Sequence, residues 1–423
     1  MLIYAASQLL TLSGGPQRGQ DLGRLDIIPD GAVLVREGQI AALGKSSDLL
    51  AAYPHEERLD AAGRVVMPGF VDPHTHAVWA GDRAAEFELR LQGKTYLEIL
   101  AAGSGILATV CATRNASVQQ LMEETRPRLQ NMLAYGTTTA EVKSGYGLET
   151  ASELRQIEAI LALDAAAAAG EALPSLAPTF LGAHAVPPEF KDEPDAYTGL
   201  LCAEMLPALR AWWQAQAPAA RPLPFVDVFC ETGAFSLAQS RRILESAKAL
   251  GFALKIHADE FDNLGGAALA AELGAVSADH LVKTSAADIG ALAASTTVAV
   301  ALPCTPFGLA EDHYTPAQAI LRAGGLLALA TDLNPGTAWC ENMQFAIALA
   351  CRYMKLTPAQ AIATATINAA AAVGRAGQVG SLEVGKQADI LILHVNDYRH
   401  LGYRFGGNLV AQVVRGGQIM NKA

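Results

Sequence analysis

The sequence predicts an α/β chain: a closed, TIM-like (β/α)8 barrel with a small β-domain built jointly by both chain ends. Three observations carry that expectation. The middle of the chain alternates short apolar runs with longer helical stretches. Both ends read instead as short strands. The length of 423 residues, 51% of them hydrophobic and 17% charged, supports a large core, and a barrel of about 250 residues leaves room for an accessory domain.

The N-terminal segment contains "AVLVREGQIAALG", two apolar runs around "REGQ", a hairpin pattern. The tail segments "GKQADILILHV" and "NLVAQVVRGGQIM" read the same way. The expected division is a composite β-domain of residues 1–66 plus 377–423 and a barrel of residues 67–376.

Eight apolar runs supply the barrel strands: "VVMPGFVDPHTH", "TTTAEVKSG", "LAPTFLGAH", "PFVDVFCE", "FALKIHADE", "AVSADHLV", "TVAVALPC" and "LLALATDL". Helical stretches such as "SVQQLMEETRPRLQNMLAYG" and "SLAQSRRILESAKALG" lie between many of them. Eight buried strands alternating with helices favour a closed parallel barrel over an open sheet.

The formal net charge of −11 argues against a nucleic-acid or anionic-membrane partner, while leaving room for an anionic small-molecule substrate in a locally positive pocket. Six cysteines without a CxxC pair, in a chain too large to need disulfides, read as reduced thiols in a cytoplasmic protein. The N-terminal "MLIYAASQLLTLSGG" lacks a basic flank and is too short to span a bilayer.

The strand candidates stay apolar until their C-terminal ends, where they turn polar. The first ends in His74 and His76, the second runs into Lys143 and Tyr146, the third ends in His184 and the fourth in Glu231. The fifth carries His257 and Glu260, the sixth His280, and the eighth ends in Asp332. In parallel barrels that face builds the active site.

His74 and His76 are at i and i+2, so on a strand they share a face and can bind one ion side by side. His257 and Asp332 add a third nitrogen and a carboxylate, a donor set suited to a metal with an open position for water. Glu260 could move protons beside the metal, or could be an ordinary first-turn carboxylate. His280 could polarise a carbonyl or bind a second metal, and His184 could donate to substrate or bind metal. Arg83, seven residues past His76, suits bidentate capture of a carboxylate, the alternative being a solvated loop charge. Lys143 is either a buried ion-pair partner or a modified metal bridge.

The segments "MPGFVDPHTH", "ATDLNPGT" and "GSLEVGKQADILIL" resemble the metal-dependent amidohydrolases, whose barrel carries a β-sandwich built from both chain ends. "GDRAAEFELRLQGKTY", "AGSGILATVCATR", "EVKSGYGLE", "PTFLGAHAVPPEF", "KIHADEF" and "SADHLV" narrow the resemblance to the imidazolonepropionase family, over residues 68 to 337. The resemblance implies one zinc or iron ion per chain on His74, His76, His257 and Asp332. It implies substrate contacts at Arg83, Tyr146, His184, Glu260 and Thr337, with product carboxylates near Asn334 and Gly336. His280 would lie near the reacting centre without binding metal, and Lys143 would be a structural neighbour. The implied reaction is hydrolysis of the cyclic amide of 4-imidazolone-5-propanoate to N-formimino-L-glutamate, with Glu260, His280 and Asp332 as catalytic groups. A homodimer is compatible with the superfamily.

Two rival expectations stand beside it. A nucleobase deaminase would use the same metal ligands but release ammonia. A non-catalytic relative would be expected to have lost ligands, and all four candidate ligands are present.

Overall fold

The computed structural model describes residues 1–93 and 105–420. Residues 94–104, which carry parts of the quoted "GKTY" and "AGSG" segments, lie outside the described residues, as do 421–423. The chain opens with β1 (Leu2–Leu10), β2 (Ile27–Arg36), β3 (Gln39–Lys45), β4 (Arg58–Asp60) and β5 (Val65–Pro68). Eight further strands follow: β6 (Phe70–Asp72), β7 (Thr137–Lys143), β8 (Ser175–Ala183), β9 (Phe225–Cys230), β10 (Ala253–Ala258), β11 (Ser277–His280), β12 (Val298–Ala301) and β13 (Leu327–Leu329). The last three are β14 (Ile390–Leu393), β15 (Val410–Arg415) and β16 (Gln418–Met420).

The first five and last three strands form one mixed sheet in the order β16-β15-β14-β5-β1-β2-β3, with β4 paired to β1. The two chain ends meet where β5 runs antiparallel to β14, placing Met67 opposite Leu391. This sheet has its own apolar core. Val33 and Val35 of β2 join Ile3, Leu9, Ile390 and Val414 on one face. Ala32 and Leu34, pointing the other way, pack on Leu49 of the helix Ser46–Ala52. Side chains alternate faces along a strand, so "AVLV" reads as a continuous apolar run only because both faces are covered.

The run "VVMPGFVDPHTH", expected to be one strand, is two. β5 ends in the terminal sheet, and β6 starts the barrel one residue later, with Phe70 paired to Thr137. The switch falls at Gly69, where a Cβ would lie 2.2 Å from Thr138 Oγ1. Only a residue without a side chain lets the backbone pass there.

β6 to β13 lie side by side in chain order, and each adjacent pair is parallel. All eight apolar runs of the sequence contribute a strand. A parallel bridge between Thr75 and Leu333 and the bond from His76 N to Leu333 O (2.8 Å) join the last strand's end to the first's. Asp72 adds to the closure, accepting from the Thr331 hydroxyl at 2.5 Å.

The helices start and stop on local signals. Ser117 caps the helix Val118–Ala134 by accepting from Gln120 N, and Ser236 forms a reciprocal capping box with Gln239 ahead of Leu237–Ala249. Gly136 and Gly251, both at positive φ, turn the chain back toward β7 and β10. The first of these helices buries Leu121, Leu129 and Met132, and each fully buried leucine stabilises by about 1.5–3 kcal/mol. Among the described residues, no helix is long and apolar enough to cross a membrane.

Candidate metal centre

His74 and His76 follow β6 and are both buried. Thr75 between them is locked to β7: its hydroxyl donates to Glu141 O at 2.6 Å, and its backbone N–H donates to Glu141 Oε2 at 3.2 Å. With Thr75 held, the two imidazoles face the barrel axis. His76 Nε2 lies 3.3 Å from His74 Nε2 and 3.2 Å from His257 Nε2. Asp332 Oδ1 lies 3.5 Å from His74 Nε2 and 3.7 Å from His76 Nε2.

A tetrahedral ion with bonds of about 2.0–2.1 Å has ligand-to-ligand edges of about 3.3–3.4 Å. The observed spacings are close to those edges. Asp332 Oδ1 is also buried without a hydrogen-bond partner, while its other oxygen accepts from the Thr305 hydroxyl at 2.5 Å. A buried carboxylate oxygen facing imidazole nitrogens is costly unless a cation sits between them. His74, His257 and His280 form a second, overlapping group of close ligand atoms. Asp332 and His280 both have positive φ, a strained conformation for residues other than glycine and one that clusters at functional sites.

Beneath the histidines lies a layer of buried charge. His74 Nδ1 is 2.6 Å from Asp279 Oδ2, and His257 Nδ1 is 3.0 Å from Asp227 Oδ2. Each carboxylate can accept a hydrogen bond from Nδ1–H and so leave Nε2 as the ligand atom. Lys143 Nζ lies 2.7 Å from Glu141 and 2.8 Å from Asp227, with Asp279 at 3.8 Å. Burial opposes its charge, but these carboxylates outweigh it and hold the lysine above its usual range. That contact set matches the ion-pair alternative for Lys143. Lys255 Nζ donates to Pro73 O at 2.7 Å and lies 3.9 Å from Asp279.

A cavity of about 150 Å³ opens above this layer, a size for a small molecule. His76, His257, Asp332, His280, Glu260, His184, Tyr146, Arg83, Asn334, Gly336 and Thr337 all line it. His74 lies just below. Every site residue singled out in the sequence therefore converges here, while Lys143 and Glu231 support from outside. Glu231 accepts from the backbone N–H groups of Glu260, Phe261 and Asp262 at 3.1, 2.9 and 3.1 Å, fixing the loop that carries Glu260.

Burial, with Asp332 and Glu231 nearby, pushes the Glu260 carboxyl well above its usual range. Its Oε2 lies 3.6 Å from His280 Nε2. Burial likewise holds His280 well below the usual histidine range, and it pushes Asp332 up to about 6. His184 is lowered to about 3 by burial and by His257, and is a neutral imidazole. Its Nδ1 lies 3.0 Å from the Gly145 carbonyl. A carbonyl only accepts, so Nδ1 carries the proton and Nε2 is an acceptor. Arg83 places Nε and Nη2 on Glu86 at 2.7 and 2.5 Å, with its Nη1 end against Gly336. Asn334 Oδ1 accepts from the N–H groups of Gly336 and Thr337, both at 2.8 Å, shaping the cavity lip.

Sequence reasoning missed Asp227, Asp279, Glu141, Lys255, Glu86 and Thr305. A faint signal existed for two: Asp227 and Asp279 interrupt otherwise apolar barrel strands, and a charge inside such a strand needs a buried partner.

A model of the amidohydrolase family matches residues 65–420, and one described as an imidazolonepropionase-like composite domain, bacteria, matches residues 31–55. The imidazolonepropionase of Herpetosiphon aurantiacus is 53% identical over 421 residues, covering 100% of this chain and 97% of that protein. Those of Chloroflexus aggregans and Symbiobacterium thermophilum are each 50% identical, covering 99% of this chain and 98% and 97% of theirs. Among solved structures, a zinc-bound adenosine deaminase from Xanthomonas campestris superposes with a TM-score of 0.71 at 20% identity, covering 99% of this chain and 92% of that one. A 5-methylcytosine deaminase from Klebsiella pneumoniae gives 0.71 at 17% identity, covering 100% and 98%. At those identities the likeness shows the shared fold alone. By its full-length relatives, the chain belongs to the imidazolonepropionase family of the amidohydrolases.

Proposed function

We propose that this chain hydrolyses the cyclic amide C–N bond of 4-imidazolone-5-propanoate to N-formimino-L-glutamate in histidine degradation. The observation that carries this is the convergence of His74, His76, His257 and Asp332 under a small cavity lined by Arg83, Tyr146, Glu260 and His280, in a chain 53% identical to an imidazolonepropionase.

His74, His76, His257 and Asp332 would hold one zinc or iron ion. Such an ion, when bound, lowers the pKa of a coordinated water from about 15.7 towards 7 and polarises a carbonyl oxygen. Asp332 would take a proton from the attacking water, whose oxygen becomes part of the new carboxylate. His280, a neutral imidazole, would donate to the oxyanion that develops on the ring carbonyl; such donors typically contribute about 10²–10³ in kcat. Glu260, whose carboxyl is held well above its usual range, would deliver a proton to the departing ring nitrogen. Arg83, through its Nη1 end, and Tyr146 would hold the propanoate arm and so set the ring's position. His184 Nε2 would accept from a ring N–H, and the Asn334–Thr337 turn would receive the product's carboxylate end.

The same proposal includes a cytoplasmic setting, a homodimer, and no nucleic-acid or membrane partner; the acidic charge supports the last. The test is metal content together with loss of the ultraviolet absorbance of freshly generated 4-imidazolone-5-propanoate. The expected result is about one zinc or iron per chain and turnover abolished by a chelator. Ammonia release from a nucleobase, with no turnover of the imidazolone, would overturn it.

A further inference from the structure

Cys304 begins the short helix Cys304–Leu309 just after β12, and Cys340 lies in the loop that follows Asp332. Their sulfurs are 3.6 Å apart, with the Cys304 thiol donating to the Cys340 sulfur. Cys304 is buried and Cys340 is partly exposed. The two segments that carry them also shape the metal centre. Thr305, next to Cys304, donates to Asp332 Oδ2 at 2.5 Å. The Cys340 segment carries Asn334, Gly336 and Thr337 of the cavity lip.

We propose that Cys304 and Cys340 are a redox modification site, forming a reversible disulfide that slows this enzyme under peroxide stress. In the forward step the Cys340 sulfur attacks a peroxide oxygen. The O–O bond breaks, one water leaves, and Cys340 becomes a sulfenic acid. The Cys304 sulfur then attacks the Cys340 sulfur, the S–O bond breaks, and the second water leaves with the remaining thiol proton. The sum is two thiols plus one hydrogen peroxide giving one disulfide and two waters. A dithiol reductant reverses it by exchange. The bond from Cys304 holds the Cys340 thiol below its usual range, which favours the thiolate at Cys340.

Closing the bridge brings the sulfurs to about 2.05 Å. The helix and the loop already pack closely at Gly308, where a Cβ would lie 1.9 Å from Thr337 O, so the sulfur gap closes by local turning at the cysteines. The first turn of the helix takes up the movement, drawing Thr305 off Asp332 Oδ2. Asp332 then loses the donor that fixes its outer oxygen.

The experiment uses the full-length, metal-loaded protein, treated with hydrogen peroxide or with dithiothreitol, then alkylated and mapped by mass spectrometry. The expected result is a Cys304–Cys340 link two hydrogens lighter than the paired thiols. It should come with at least a ten-fold fall in kcat that dithiothreitol reverses, whereas Cys340→Ser keeps its turnover through the same treatment. The proposal fails if other thiols oxidise and this link does not form, if linked protein turns over at the reduced rate, or if Cys340→Ser is inactivated equally. The effect on turnover rests on the hydrolase assignment, but the link is read without substrate. Failure of that assignment would therefore show separately, as a reduced protein without turnover.

Discussion

His74 Nδ1 and Asp279 Oδ2 sit 2.6 Å apart with both side chains fully buried, the one just past the first strand of the barrel and the other on the sixth. That contact decides which nitrogen of His74 faces the centre. Asp279→Asn offers an amide in place of a carboxylate and weakens the orientation and basicity of the imidazole. Metal affinity should fall by about 10–100-fold, measured by competition with a chromogenic chelator, with circular dichroism unchanged. An unchanged affinity would remove Asp279 from any role at the centre.

Asp332 both faces the imidazoles and is a candidate acceptor of the water's proton. Asp332→Asn should lower kcat by about 10²–10⁴-fold while the fold survives. Single-turnover kinetics on refolded, metal-supplemented protein would check it; substantial retained turnover would sink both roles.

Lys143 is the cation shared by Glu141, Asp227 and Asp279. Lys143→Met keeps much of the side-chain volume but strands buried carboxylates. Removing one partner of a buried ionic group typically costs about 3–5 kcal/mol, so the urea midpoint should fall markedly. A midpoint within error of the wild type would mean those carboxylates are protonated or hydrated instead.

The Glu260 carboxyl is held well above its usual range by burial and then by Asp332 and Glu231. The sign follows directly: it carries its proton below that raised value and loses it above. As the proton donor it should give kcat an alkaline limb, with activity falling as pH rises through its pKa. Glu260→Gln should remove that limb and lower the plateau; a limb that persists in the variant belongs to another group.

Gly336 lies against Arg83, and a Cβ there would come 2.4 Å from Arg83 Nη1. Gly336→Ala should swing the guanidinium aside, because a flexible side-chain end gives way before the backbone does. The expected effect is a raised KM with kcat largely spared, the pattern also expected of Arg83→Ala, since both remove ground-state positioning. A KM unchanged in both variants would place the substrate carboxylate elsewhere.

Much of the site was legible because its chemistry lies at strand ends. His74, His76, His257, His280 and Asp332 each break an apolar run, and a parallel barrel gathers all such breaks on one face. Thr337 was harder, a loop residue named through resemblance alone, whereas Arg83 was singled out by its guanidinium past His76 and Tyr146 by its place after a strand. The carboxylates under the histidines left only a faint trace, as charges inside apolar strands, and their partners were not legible. Asp279 sits beside His280 in sequence but serves His74, 205 residues away. Glu86 was likewise unmarked, three residues from the arginine it holds.

By itself the sequence determined the alternation of strands and helices, the pairing of the two ends into a sheet, and the polar residues at the strand ends. Those properties depend on local periodicity and on the polarity of single positions. Only the tertiary structure decided that Gly69 divides one apolar run between two sheets, and that Lys143 is shared among three buried acids rather than facing the cavity. It also decided that Cys304 and Cys340 meet across 36 residues. These follow from contacts between distant strands and loops, whose distances are set by barrel closure and leave no period in the chain.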